Sequence, residues 1–227
     1  MDFEQQVSSL IEFLKRYIGM SFDDLACLTK MVSKSKSRNA LLVNKLIDSY
    51  KGAGYGKALL EHESIWVKTI QTDCQGIPNE SMSFPTMDFS SLIEEKWESS
   101  TLRKQFSYRF LFFVFEEKEN RQVFLQKVFL WKMSEKTLDG EVKPVWLKTK
   151  EILLSGNVVN QINAKGNIVL NFPKEKDTKV CHVRPHGRNS MDLANLPKRD
   201  ANTRFIGLSK QSFWLNKKYV AEIIQQN

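Results

Sequence analysis

The stretch that most constrains this chain covers residues 106–116, Phe-Ser-Tyr-Arg-Phe-Leu-Phe-Phe-Val-Phe-Glu. Apolar and aromatic side chains follow one another there with almost no polar alternation. Successive side chains of a strand point to opposite faces, so such a run predicts a strand buried on both sides. Residues 123–133, rich in Val, Phe and Trp, predict its neighbour. A sheet covered on both faces requires helices to cover it.

The chain supplies them. Phe3, Val7, Leu10, Ile11, Leu14 and Ile18 recur at helical spacing, with Gly19 placed to cap the end. Ser21 followed by Asp24 resembles an N-cap, opening a second helix through Leu25, Leu28 and Val32. Residues 33–38 form a polar, basic break, and 40–50 resume a helical pattern through Leu41, Leu42, Leu46 and Tyr50. The glycine-rich segment 52–56 lacks the Gly-Lys-Ser/Thr ending of a phosphate-binding loop, so it reads as a hinge or a close backbone approach. Residues 64–70 predict a strand, 88–97 a helix through Leu92, Ile93 and Trp97, and 142–154 a helix opening at Lys143-Pro144. Residues 213–224 hold a last strand or helix, and 156–172 give no clear pattern. The expected architecture is α/β, a mixed central sheet flanked by helices. We expect one domain over residues 1–227, with a helical part at about 1–57 and the sheet and a carboxy-terminal arm at about 58–227. A chain of this length buries roughly 70% of its unfolded surface.

No apolar run approaches the roughly 20 residues of a membrane span, and the amino-terminus lacks the basic start and apolar centre of a signal peptide. Cys27, Cys74 and Cys181 are far apart and not in metal-ligand spacing, which points to a reduced, cytoplasmic setting and argues against zinc. The net charge of +8 suits a polyanionic partner. Residues 30–57 carry seven basic side chains against the single Asp48, and 174–204 carry eight against four acidic ones. The acidic segment 58–100 lies between them. That pattern suits a cleft with positive walls.

The second basic region contains His182-Val-Arg-Pro-His-Gly-Arg-Asn-Ser190, echoed at Lys210-Gln-Ser-Phe-Trp-Leu-Asn-Lys-Lys-Tyr219. Arg donates two parallel hydrogen bonds to the O6/N7 edge of guanine, and Asn pairs in the same way with adenine. Pro185 stiffens the segment and Gly187 permits close approach. An ordinary solvated turn has a similar composition.

Several segments, in order, resemble the MutH-type endonucleases, and among them the GATC-cutting type II restriction enzymes of the Sau-three-A type. Val43-Asn-Lys-Leu-Ile-Asp48 resembles the helix before the family's active site, and Ile65-Trp-Val-Lys-Thr-Ile70 its strand Ile-Glu-Leu-Lys-Thr-Ile. Trp97-Glu-Ser-Ser-Thr-Leu102 with Phe110-Leu-Phe-Phe-Val-Phe115 resembles its Trp-Glu-x-Ser helix and core strand. Residues 182–190 and 211–219 resemble the arm that reads bases. The resemblance covers most of the chain after about residue 40 and implies a restriction-endonuclease-like fold with a DNA-binding cleft between two arms.

In that family an Asp, a Glu and a Lys two residues after the Glu hold divalent metal and activate water, because carboxylate oxygens bind Mg²⁺ and the metal lowers the pKa of water. Lys68 matches the family Lys, but Trp66 stands at the Glu position and the upstream Asp falls near Leu59 or Leu60. The resemblance therefore implies a chain with no catalytic residues and no metal or cofactor of its own, in which Lys68 is a relic or a phosphate contact. Arg184, Pro185, His186 and Asn189 align with the base-reading arm, and Trp214 with an aromatic contact beside the bases. Gly187, Arg188, Lys210, Lys36 and Arg38 complete the expected DNA-binding set. His186 departs from the Lys of the mismatch-repair relatives, and a packed core aromatic is the alternative for Trp214.

The chain then reads as the carboxy-terminal effector domain of a type II restriction enzyme. It would bind double-stranded GATC DNA and activate an amino-terminal, Mg²⁺-dependent cleavage domain of the same polypeptide. The alternative is an active stand-alone Mg²⁺-dependent endonuclease with carboxylates displaced to Glu61, Glu63 or Asp73. A third, an RNA- or membrane-surface module, lacks a basic amphipathic helix and RNA-binding motifs.

Overall fold

A computed structural model describes residues 2–33, 35, 37–50, 56–162, 168–189, 191–197 and 207–227. In chain order the elements are α1 (Phe3–Lys15), α2 (Phe22–Leu28), α3 (Arg38–Asp48), α4 (Gly56–His62), β1 (Ile65–Thr72), β2 (Met82–Thr86), α5 (Phe89–Glu94), α6 (Thr101–Ser107), β3 (Arg109–Glu117), β4 (Val123–Lys132), α7 (Glu135–Thr137), α8 (Lys143–Ser155), β5 (Val159–Ile162), β6 (Ile168–Leu170), β7 (Cys181–Pro185), β8 (Leu193–Asn195), β9 (Gly207–Ser209), β10 (Gln211–Leu215) and α9 (Lys217–Gln226). The chain forms two compact units. The first contains residues 1–80, 108–132 and 221–227; the second contains 81–107 and 133–220. No helix of the described residues is long and apolar enough to cross a membrane.

The first unit is built on the mixed sheet β1-β3-β4, in which β3 pairs parallel to β1 and antiparallel to β4. Phe110 to Phe115 of β3 are all buried, as the unbroken apolar run requires. The two faces do different work. Leu111, Phe113 and Phe115 join Val7, Leu10, Leu14, Leu25, Leu42, Val43 and Leu46 in one core cluster, so α1, α2 and α3 cover this face. Phe110 and Phe112 project to the other face with their cross-strand partners Trp131 and Phe129, at ring separations of 5.8 and 5.2 Å.

Local signals account for much of the helical layer. Asp2 and Ser21 cap α1 and α2, and the Ser21 hydroxyl also donates to the Asp24 carboxylate at 2.6 Å. The second helix is shorter than its pattern predicts: it ends at Leu28, and Val32 is 98% exposed. Residues 51–55, most of the glycine-rich segment, lie outside the described residues. Gly56 opens α4, an element that periodicity did not predict. A Cβ on Gly56 would stand 2.8 Å from the Ile47 carbonyl oxygen, so this position is a close approach of α4 to α3.

In the second unit β2-β10-β7 form an antiparallel sheet, and β5-β6 and β8-β9 form two small hairpins. The helix expected over 88–97 is divided. Asp88 caps α5, which ends at Glu94, and Trp97 enters a separate 3-10 turn. The Ser100 hydroxyl donates to the Trp97 carbonyl and accepts from the Arg103 amide, which gives the Trp-Glu-x-Ser pattern a capping role at the start of α6. Phe106 belongs to α6 rather than to the central strand. The Trp97 indole donates to Asp139 at 2.7 Å, and Arg103 bridges Asp139 and Glu135 at 2.6 Å each, fixing the π-helical turn Leu138–Val142 that leads into α8. Pro144 sits in the first turn of α8.

Candidate nucleic-acid interface

The predicted base-reading segment is carried by β7, which pairs antiparallel with β10 so that Arg184 lies opposite Ser212 and His182 opposite Trp214. Cross-strand partners share a face, and residues two apart on one strand share it too. Arg184, His182, Ser212 and Trp214 therefore stand on one side of this ribbon. The Arg184 guanidinium lies 4.5 Å from the centroid of the Trp214 ring, and the His186 ring meets Trp214 edge-on at 5.0 Å. Trp214 is 8% exposed, while Arg184 and His186 are exposed. The indole thus supports two outward polar side chains. Its Nε1 is buried with no hydrogen-bond partner among the described residues.

Beyond β7 the chain turns through a loop that closes on β9 and β10. The His186 amide donates to the Lys210 carbonyl at 2.8 Å, and the Lys210 amide to the Asp192 carbonyl at 2.9 Å. Asn189 accepts from the Met191 amide at 2.9 Å, which occupies its side-chain oxygen in a local turn. A Cβ at Gly187 would lie 3.1 Å from the Asn189 and Asp192 carbonyl oxygens, a tight packing that glycine fits. Asp192 is the organising residue that sequence reasoning missed. Its carboxylate accepts from the Arg188 amide at 3.0 Å and pairs with Lys210 Nζ at 2.8 Å. The Lys210 and Arg188 hydrogen bonds hold its pKa down to about 2. In sequence it is one of four acidic residues in a basic region, which gives no sign of this role. The Arg188 side chain is 89% exposed.

His182, which opens the segment, is internal. It is 3% exposed and 2.7 Å from the Asn216 side-chain oxygen, and burial lowers its pKa. Asn216 in turn donates to the Thr178 carbonyl at 2.8 Å. This pair braces β7 against the end of β10 from within.

The structure gathers Arg184, Pro185, His186, Gly187, Arg188, Asn189, Lys210 and Trp214 into one region of the second unit. Arg38 and Lys68 belong to the first unit. Arg38 is exposed, with its guanidinium 4.7 Å over the Phe22 ring. Lys36 lies outside the described residues.

On β1, Trp66 and Lys68 share a face, and Trp66 pairs in register with Phe110, Lys68 with Phe112. The Trp66 ring stacks on Tyr108 at 4.9 Å and meets Phe110 edge-on at 6.3 Å, so it extends the aromatic face of the sheet. Lys68 Nζ is 5.9 Å from the Trp66 centroid, and burial lowers its pKa to about 8. Leu59 and Leu60 are 3% and 4% exposed. Indole and isobutyl groups provide no oxygen ligand, so a hard divalent cation does not fit at these positions.

Two of the three candidate substitute carboxylates, Glu63 and Asp73, have other partners. Glu63 accepts from Arg109 at 2.8 Å and lies 3.0 Å from His62 Nδ1. Asp73 accepts from the amides of Gln75 and Ile77 within its own turn. Among the described residues no three His, Cys, Asp or Glu side chains gather as metal ligands.

No protein-family model matches the chain. It is 27% identical over 255 aligned residues to the type II restriction enzyme Sau3AI of Staphylococcus aureus, covering 98% of this chain and 52% of that protein. It is 26% identical over 230 aligned residues to the DNA mismatch repair protein MutH of Pasteurella multocida, covering 98% of this chain and 96% of that one. The chain thus spans about half the length of the staphylococcal enzyme and nearly all of the mismatch repair protein. With the mixed α/β architecture, this similarity supports a MutH-like restriction endonuclease family for the chain.

Proposed function

We propose that this chain is a sequence-specific double-stranded DNA-binding domain that recognises GATC, has lost the metal site of its family, and acts as the effector of a separate cleavage domain in the same polypeptide. One contrast carries the reading. In the second unit Arg184 and His186 are presented on Trp214, while in the first Trp66, at the family's metal-binding Glu position, is a packing residue.

An exposed guanidinium supported on an aromatic face is pre-organised for bidentate pairing with a guanine edge. Arg188 and Arg38 project charge toward phosphates, which contributes affinity without sequence information. Lys68 at the old metal site adds a positive charge but no ligand. The match to about half of a restriction enzyme leaves chain length for a cleavage domain, which would hold Mg²⁺ and work in the cytoplasm. Occupancy of this domain by GATC would favour the cleavage-competent arrangement, and by linkage cleavage-site binding would tighten binding here.

The test is binding of the chain to a GATC duplex and a scrambled duplex at matched salt with Mg²⁺ present, followed by recovery of the DNA. Selective binding with intact DNA is the expected outcome. Cut DNA, or equal binding to both duplexes, overturns the reading.

A further inference from the structure

We propose that Asp192 limits the sequence-blind DNA affinity of this arm by withholding Lys210 from DNA phosphates while anchoring the loop that carries Arg188 outward. The inference rests on the DNA-binding reading and adds to it a residue that sets the affinity and salt dependence of the arm.

Asp192 is not a solvated rim carboxylate. Its side chain is 12% exposed, against 38% for Lys210 and 89% for Arg188. Lys210 Nζ stands 2.8 Å from one carboxylate oxygen; the other accepts from the Arg188 amide at 3.0 Å, with Arg188 Nε at 3.5 Å. The backbone is fixed on both sides, because the Asp192 amide donates to the Asn189 carbonyl at 3.2 Å and its carbonyl accepts from Lys210. Two cations adjacent in the arm are thereby treated differently. Lys210 is paired at short range, whereas Arg188 is held by its main chain and leaves its guanidinium in solvent.

Phosphate binding ignores sequence, and each cation that engages a phosphate strengthens binding to every duplex. Such a contact adds equally to the affinity for each sequence, so withholding it weakens binding to all DNA while the difference between two affinities, the specificity, stays the same. An internal carboxylate that neutralises Lys210 does this without loosening the loop that presents Arg184, His186 and Arg188.

The test uses Asp192→Asn, which keeps an acceptor for the Arg188 amide but removes the charge. Binding to GATC and scrambled duplexes is measured across a salt series, with thermal melting of each variant as a folding control. Freed Lys210 should tighten binding to both duplexes about threefold and steepen both salt slopes by about 0.9, the effect of one added phosphate contact. The ratio of the two affinities should stay the same. Adding Lys210→Met to Asp192→Asn should return the slope to the wild-type value. Asp192→Ser, which also removes the charge, should steepen the slope in the same way and carries the test if Asp192→Asn fails to fold. Unchanged affinity in Asp192→Asn, weakening on either duplex, or a steeper slope that persists when Lys210→Met is added to Asp192→Asn overturns the assignment. A wild-type chain that fails to distinguish the duplexes overturns the DNA-binding reading itself, which separates the two failures.

Discussion

The Arg184 guanidinium carbon lies 4.5 Å from the centroid of the Trp214 ring, on the cross-strand diagonal of the β7–β10 pair. A cation over an indole face gains about 0.5–2 kcal/mol, and the ring limits where the guanidinium can go. Arg184→Ala should cost about 1–3 kcal/mol on GATC DNA and less on random DNA. Trp214→Leu should lose part of the same energy. The double variant should then fall short of additivity by about 0.5–2 kcal/mol in a binding cycle. Fully additive losses would mean that the ring does not support the guanidinium.

Restoring one carboxylate should not restore cleavage. Trp66→Glu places an acid on the face of Lys68, but buried Leu59 and Leu60 still offer no second ligand. The variant should leave a GATC plasmid intact with Mg²⁺ present. It should also be less stable, because Trp66 stacks on Tyr108 at 4.9 Å. A plasmid assay and a urea melt check both outcomes, and Mg²⁺-dependent nicking would contradict the first.

Lys68 makes a pH-dependent contribution whose sign follows from its environment. Burial lowers its pKa from 10.5 to about 8. Between those values the unfolded chain holds a proton that the folded chain has released, so stability rises with pH across this window. Below about pH 8 both states are protonated and the group adds no slope. Lys68→Met should remove a rise of up to about 3 kcal/mol between pH 8 and 10.5, read as the difference between wild-type and variant urea midpoints. Parallel pH profiles would mean that Lys68 keeps its proton in the folded state.

Gly56→Ala tests the approach of α4 to α3. The new methyl would lie 2.8 Å from the Ile47 carbonyl oxygen and 2.9 Å from Ile47 Cγ2. Overpacking of this kind costs about 1–3 kcal/mol. A denaturant melt should show that loss, and an unchanged midpoint would mean that the helices separate freely.

Much of this architecture is legible along the chain because its causes are local. The unbroken apolar run of β3, the 3.6-residue spacing of α1 and the Pro144 start of α8 each concern residues within one segment. The caps at Ser21 and Asp88 span three residues. Other elements carry weaker signals. The helix α6 is short and depends on Ser100, and β2 is an edge strand of five residues containing Pro85. The segment 156–172 stayed unread because its hairpin strands are only four and three residues long.

The site divides along the same line. Residue type and order were enough to single out the Arg-Pro-His-Gly-Arg-Asn segment. The place of Trp66 at the family's carboxylate position is an expectation from the resemblance, and residue order could not show that Trp214 is buried beneath Arg184 or that Asp192 holds Lys210. It also left open that Glu63 pairs with Arg109, a residue 46 positions away. Strand alternation alone does not assign a side chain to core or solvent; that follows from strand register and from what packs against each face. Pairing between distant charges likewise exists only once sheet topology brings them within hydrogen-bond reach. Periodicity and capping act within a few residues and so survive in a linear reading, while the support of Arg184 and the pairing of Lys210 are products of the folded chain.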